Sequence, residues 1–427
     1  MNNGETRRVA VVGANRIPFA RSNTAYFELS NMTMLTDTLR GLVQKYNLQG
    51  LLLGEVVGGA VMKHSRDWNL VRESVLSSGL HPNTPAYDVQ QACGTGLEAA
   101  ILVANKIALG QIEVGIACGT DTTSDAPIAA SRGMQRGLMA VNAARTRSDK
   151  LRAGLSLLNP SHLMPELPAR GEPRTGKSMG EHAQITAHRF GITRFAQDEI
   201  ALASHLNLAK AYEAGFFEDL VMPYHGLTRD NNLRPDASAE GMARLKPAFE
   251  RGTGTITAAN ASTFTDGASA VLLASEEWAK KQGLPILAYL TAGEVAAVDF
   301  VDEREGLLMA GAYAVPRMLA KRKLALQDFD FYEIHEAFAA VVLCTMAAWE
   351  SPAFCKDKLG LDAPLGSIDR AKLNVKGSSI ATGHPFAATG ARIVATLAKI
   401  IDEAGGGRGL ISICAAGGQG VTAILEK

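Results

Sequence analysis

No run of 18 or more apolar residues occurs in the 427-residue chain, which argues against a membrane-crossing helix. Charge of one sign is not in excess either: Lys+Arg and Asp+Glu each number 43. A protein built to grip a nucleic-acid backbone would carry a basic surplus, so no nucleic-acid partner is expected. Cysteine is sparse and odd in number, with five residues at 93, 118, 344, 355 and 414 and no C-x-x-C pair. That excludes a disulfide framework and a structural zinc site. Met1 to Val12 lacks an apolar signal core and a small-residue cleavage site, so a reducing, cytoplasmic location is expected. Aromatics are scarce at 6%, yet 47% hydrophobic and 20% charged residues are the balance of a globular protein with a large core. The length suits two or three domain-sized units, and the 42 glycines point to tight turns or close backbone approaches.

Strand and helix patterns alternate, which predicts an α/β sheet covered by helices. Arg8–Gly13 and Glu55–Val61 read as strands, and Met32–Tyr46 and Asp67–Ser78 as helices. The more informative pattern is internal. Ala86–Gln91 reads as a strand; Cys93 follows, then a helix over Gly94–Leu109 and a strand over Val114–Cys118. Far downstream, Leu373–Val375 reads as a strand, His384 precedes a helix from Pro385 to about Glu403, and Gly409–Cys414 is a strand. A last strand completes each copy, Ser269–Ala274 in the first and Val421–Glu426 in the second. This order predicts a duplicated domain. The first copy is interrupted between Asp121 and about Thr255 by a separate lobe. Within it, Ser131–Lys177 carries nine Lys/Arg (132, 136, 145, 147, 150, 152, 170, 174, 177) against three acids (149, 166, 172), with leucines at 151, 155 and 158.

Cys93 stands between a strand end and a helix start, where unpaired N–H groups are expected to lower its pKa. The competing reading is a small buried residue in a tight turn. His384 holds the matching place in the second copy, with Pro385 suited to the first helical position. A positive helix end there would keep the ring neutral. By pseudo-symmetry the two residues should face each other, which makes a nucleophile–base pair a candidate against the alternative of a polar cap. Cys414 ends a strand and enters a Gly-rich turn able to point N–H groups at an oxyanion. Cys118, Cys344 and Cys355 read as structural. His335 lies on a strand–helix lip and could donate to a carbonyl; Ala339 rules out H-E-x-x-H. The other histidines (64, 81, 162, 182, 188, 205, 225) show no partner spacing. Gly171–Ser178 matches the letters of G-x-x-x-x-G-K-[ST] but follows a proline-rich stretch and no strand, and G-x-G-x-x-G does not occur.

Several separated stretches together resemble the thiolase family over nearly the whole chain. They are Gln91-Ala-Cys-Gly-Thr-Gly96, Ser178-Met-Gly-Glu181, Thr257-Ala-Ala-Asn-Ala-Ser262 leading to Asp266-Gly-Ala, His335-Glu-Ala-Phe338, Gly383-His-Pro385 and Cys414-Ala-Ala-Gly-Gly-Gln-Gly420. The resemblance implies an α/β thiolase fold, two βαβαβαββ halves in a five-layered α-β-α-β-α arrangement. It divides the chain into an N-terminal half (1–123 and 255–286), an inserted loop domain (124–254) and a C-terminal half (287–427). It also implies reversible, CoA-dependent cleavage of a 3-oxoacyl-CoA, or acetyl-CoA condensation, with Cys93 as nucleophile, His384 as its base and Cys414 as the second acid/base. The backbone amides of Cys93 and Ala416 would form one oxyanion hole, and His384 would help form the other. Met179 and Ser262 match positions lining the pantetheine channel. Coenzyme A is then a substrate, and no metal or cofactor is expected.

Two departures from the family pattern stand out. His335 replaces the commoner Asn, as in the thiolase subunits of fatty-acid-oxidation complexes, and Ala416 replaces the glycine of Cys-x-Gly. An alanine serves there unless the turn demands positive φ. A homodimer or homotetramer is expected, with a hydratase–dehydrogenase subunit or a membrane surface as a further partner through 131–177. Two alternatives remain at this point. One is a decarboxylating β-ketoacyl synthase-like enzyme, in which His335 and His384 would be the histidine pair; the other is a non-catalytic acyl- or sterol-binding protein.

Overall fold

The computed structural model describes residues 6–169 and 171–427; the first five residues and Arg170, one of the nine basic positions, lie outside it. The first half runs β1 (Val9–Arg16), a two-residue β2 (Ala20–Arg21), α1 (Asn31–Lys45), β3 (Glu55–Gly58) and α2 (Leu70–Ser78). It continues through β4 (Ala86–Asp88), α3 (Thr95–Ala108) and β5 (Val114–Asp121). Six helices come before the next strand: α4 (Arg132–Ala143), α5 (Arg147–Ser156), α6 (Pro160–Leu163), α7 (Met179–Arg189), α8 (Arg194–Glu213) and α9 (Ala239–Ala243). β6 (Thr265–Ser275) and α10 (Glu276–Lys281) return to the sheet. The second half is β7 (Ala288–Ala297), α11 (Ala310–Arg322), β8 (Phe331–Ile334), α12 (Ala339–Glu350) and α13 (Pro352–Asp357). It ends with α14 (Ser379–Thr382), α15 (Ala388–Glu403), β9 (Arg408–Ala415) and β10 (Gln419–Glu426).

The strands order as β4-β3-β5-β6-β1-β7-β10-β9-β8, with β2 on β6. Within each half the same relations recur: β3 is parallel to β5 as β8 is to β9, and β5–β6 and β9–β10 are antiparallel. In the sheet the halves meet where β1 pairs with β7, Ala10 with Tyr289 and Val11 with Ala288.

Period-2 alternation in strands buried on both faces sorts the core into layers. Val271 and Leu273 of β6 face the central helices α3 and α15, as do Ile411, Ile413, Val421 and Ala423 of β9 and β10. Ala270, Leu272 and Ala274 face outward onto α1 and α2. On the far side Leu410 and Ile424 pack with α11 and α12. The result is the five-layered arrangement of the thiolase fold, with α3 and α15 in the middle layer.

Two local expectations are corrected. No strand forms at Leu373–Val375: Leu373 makes one isolated bridge to Tyr332, and Asn374 takes φ of 47°. The Asn374 side chain instead hydrogen-bonds both the N–H and the carbonyl of Ile334, at 3.0 and 2.9 Å, standing where a strand backbone would. Helix α15 starts at Ala388 rather than Pro385, because Pro385 lies in a turn whose carbonyl accepts from the Ala388 N–H. Elsewhere α5 and α6 bury no residue, and Leu158 lies beyond the end of α5.

Candidate active site

Cys93 is presented by a tight turn. Ala92 adopts φ of 47°, a conformation uncommon outside glycine, and Thr95 locks it. The Thr95 hydroxyl donates to the Ala92 carbonyl at 2.7 Å and accepts from the Gln91 N–H at 2.9 Å. In the second half, Gly383 (φ 97°) turns the chain into His384, and the buried Asp121 carboxylate at the end of β5 accepts from the Ala387 N–H at 2.9 Å. The His384 turn is therefore held by the half that carries Cys93.

What brings the two turns together is a close crossing of α3 and α15 at a pair of glycines. A Cβ on Gly96 would sit 2.6 Å from the Ala387 carbonyl oxygen, and one on Gly390 would sit 2.1 Å from the Leu97 nitrogen. Only residues without a side chain permit that approach.

His384 Nε2 lies 3.0 Å from Cys93 Sγ, and its Nδ1 lies 2.6 Å from the Thr389 hydroxyl. The sequence expectation of a lowered Cys93 pKa is corrected: burial pushes the thiol up to about 12, although its own N–H and that of Ala416 point at the sulfur and pull the other way. Desolvation at this site outweighs the helix terminus. His384 is pushed down to about 3, first by burial and then by the Arg392 guanidinium, so a helix end at Pro385 is not the cause. The resting pair is a neutral thiol and a neutral imidazole. The thiol proton needs an acceptor, which makes Nε2 the bare nitrogen and leaves Nδ1–H to donate to Thr389.

Cys414, at the end of β9, is buried, and its own thiol is raised by burial and then by proximity to Cys93. The β9–β10 turn that follows needs positive φ at Gly417 and Gly418 and not at Ala416, so alanine presents its N–H without strain. Glu172, from the segment before α7, accepts from the Gly417 N–H at 2.7 Å and ties the turn to the lobe. His335 follows β8, its N–H bonded to the Ser412 carbonyl at 2.9 Å, and its ring centroid lies 4.3 Å from that of His384. Its Nδ1 is 2.8 Å from the Ser379 hydroxyl, which also accepts from Arg392 at 2.7 Å, while its buried Nε2 has no partner among the described residues. One donor atom from each of Cys93, His335 and His384 lies within 4.8 Å of the other two, the one grouping of metal-ligand type among the described residues. Met179 begins α7 and packs on the apolar cluster containing Cys414, Ala337 and Phe338, and the Ser262 N–H bonds the Ala337 carbonyl at 2.9 Å.

Cys93, His384, His335, Cys414 and the Ala416 N–H therefore lie together. Met179 packs on the cluster that contains Cys414, and Ser262 is bonded to Ala337 of the same cluster. Cys118, Cys344 and Cys355 do not join them; they are buried elsewhere in the core. The positioning groups Asp121, Glu172, Ser379, Thr389 and Arg392 lie outside the motifs, whereas Thr95 belongs to Gln91–Gly96. Arg392 alone carries a signal, a lone charge within the small and apolar stretch 388–398.

Comparison with known proteins gives the family of the whole chain. Residues 9–277 match the family described as thiolase, N-terminal domain, and residues 284–427 match thiolase, C-terminal domain. A 3-ketoacyl-CoA thiolase of Pectobacterium atrosepticum is 43% identical over 425 residues, 98% of this chain and 96% of its own. That of Serratia proteamaculans is 40% identical over 98% of this chain and 97% of its own. Among solved structures, an acetyl-CoA acetyltransferase of Bacillus anthracis superposes with a TM-score of 0.82 at 30% identity, covering 99% of this chain and 100% of that one.

Proposed function

The chain belongs to the thiolase family, and from that premise we propose how its pocket performs thiolase chemistry, the cleavage of a 3-oxoacyl-CoA by CoA to acetyl-CoA and a shortened acyl-CoA. The protein is an acyltransferase. The observation that carries the residue assignment is the Cys93–His384 contact of 3.0 Å with Cys414 beside it. As Cys93 Sγ bonds to the ketone carbon, its proton passes to His384 Nε2. The alkoxide that forms takes hydrogen bonds from the Cys93 and Ala416 N–H groups. Rupture of the bond between C2 and C3 leaves the acyl group on sulfur and an acetyl-CoA enolate, whose oxygen faces His384 and His335. Cys414 gives its proton to the enolate carbon and recovers one from the incoming CoA thiol. CoA sulfur then takes the acyl group, and Cys93 regains its proton from His384. Every proton position is filled by a side chain, so CoA is a substrate and no prosthetic group is required.

A decarboxylating synthase would have no use for a thiol acid at Cys414, and a binding protein would have none for the activated Cys93. Met179 and Ser262 are assigned to the pantetheine channel. We further read the chain as a homodimer or homotetramer acting in the cytoplasm, with 131–177 docking a hydratase–dehydrogenase subunit or an anionic membrane. Among the described residues, no helix is long and apolar enough to cross a membrane. The test separates the half-reactions. Incubation with acyl-CoA lacking an acceptor, followed by peptide mass spectrometry, should place the acyl group on Cys93. Cys414→Ser should lower carbon–carbon cleavage by about 10²-fold or more while sparing that transfer. Label on Cys118, Cys344 or Cys355, or equal loss in both half-reactions, would overturn the assignment.

A further inference from the structure

We propose that Ser379 and Arg392 are positioning residues that hold His335 as the neutral Nε2–H tautomer, so that its one free proton points at the reacting oxygen. The inference rests on the thiolase reading above and concerns how the unusual histidine at 335 is made fit for its place.

The argument is one of proton counting. Arg392 sits on α15, fully buried, and a guanidinium can only donate. Its side-chain donations, among the described residues, go to two adjacent hydroxyls at the start of α14: Ser379 at 2.7 Å, and Ser378 at 3.3 and 3.5 Å. With Arg392 donating to the Ser379 oxygen, the Ser379 hydroxyl still has one proton to place. The acceptor within reach is His335 Nδ1 at 2.8 Å. Nδ1 must then be bare, and the ring proton sits on Nε2, the buried atom that has no partner among the described residues.

The opposite tautomer would make Ser379 accept from two donors and strand its own proton in the interior, where an orphaned polar group is costly. Protonating both nitrogens would add a cation beside Arg392. The groups facing the ring are Cys93 from the turn before α3, His384 from the turn before α15, Arg392 from α15 and, next in the chain, Glu336. The Glu336 carboxylate is already engaged by Ser204, Asn374 and the Ile380 N–H at 2.7, 2.7 and 3.1 Å. It is not free to pair with a charged His335. Burial first, then His384 and Arg392, holds His335 well below the usual imidazole range. The relay from α15 through α14 to β8 thus converts a side chain with two possible tautomers into a fixed donor.

The test uses the full-length enzyme labelled with 15N-histidine, with His335→Asn identifying the His335 signals. Long-range nitrogen–proton spectra at neutral pH should show Nε2 protonated and Nδ1 bare. Ser379→Ala should lower the cleavage rate by about 10-fold and leave acyl exchange between CoA thiols through Cys93 unchanged, while Ser379→Thr, which keeps the hydroxyl, should restore cleavage. A wild-type spectrum with Nδ1 protonated would overturn the proposal. So would parallel loss of both half-reactions in Ser379→Ala, or its failure to be rescued by threonine. An Nε2–H signal in a wild-type protein that cleaves no 3-oxoacyl-CoA would overturn the thiolase reading and leave the tautomer assignment standing.

Discussion

At Cys93 and His384, burial acts on two groups in opposite directions. It drives the thiol up to about 12 and the imidazole down to about 3, so neither ionises alone in the working range. A preformed thiolate–imidazolium pair would pull the thiol pKa down and push the imidazole pKa up. Its rate would then fall at low pH as the thiolate is protonated and at high pH as the imidazolium is lost. The neutral pair requires His384 unprotonated and Cys93 protonated, conditions met at every pH between those two limits. Proton transfer then accompanies attack and does not precede it. The rate of Cys93 acylation, followed by rapid mixing with acyl-CoA, should accordingly be flat between about pH 5.5 and 8.5. An inflection inside that window would mean that one of the two groups titrates there and that burial does not hold the pair neutral.

Helices α3 and α15 set the distance on which this chemistry depends, and the glycines at their crossing set the distance between the helices. Gly96→Ala would place a methyl 2.6 Å from the Ala387 oxygen and 2.9 Å from the Ala391 nitrogen, both backbone atoms that cannot turn aside. The helices must part. Overpacking of this kind costs about 1–3 kcal/mol, and a shift near 1 Å at the reacting atoms costs about 10²-fold in rate. Gly96→Ala should therefore lower the melting temperature and slow Cys93 acylation together, checked by calorimetry and the same rapid-mixing assay. Acylation at the wild-type rate would show that the crossing does not set the pair.

These elements also mark how far the sequence could be read. The strand–residue–helix order around Cys93 and His384 exposed the duplication, and pseudo-symmetry anticipated that the two residues meet. The pKa of Cys93 was not legible, because a helix start is a local feature whereas desolvation depends on everything packed around it. The strand expected at 373–375 failed for a related reason: Asn374 satisfies the backbone of β8 with a side chain, a substitution with no periodicity. Ser379 and Arg392 reach His335 from α14 and α15, and no spacing in the sequence announces that.

At the scale of the whole molecule the neutral total conceals an uneven distribution. Ser131–Lys177 carries nine basic residues against three acidic ones. Arg147, Lys150 and Arg152 are exposed and join no ion pair among the described residues, whereas Lys177 is engaged by Glu303. Beside them stand Leu151, Leu155 and Leu158, exposed by 68%, 57% and 72%. A site for the phosphates of CoA would need the charge and gain nothing from exposed leucines. A solvated loop would gain nothing from either. Basic and apolar groups side by side fit a surface that meets anionic lipid or a partner subunit, where charge attracts and leucine is then buried. Reversing Arg147, Lys150 and Arg152 to Glu should leave the KM for CoA unchanged and abolish co-sedimentation with anionic vesicles or co-purification with a hydratase–dehydrogenase subunit. A raised KM would assign the charges to CoA instead, and no change in any assay would return the segment to a solvated loop.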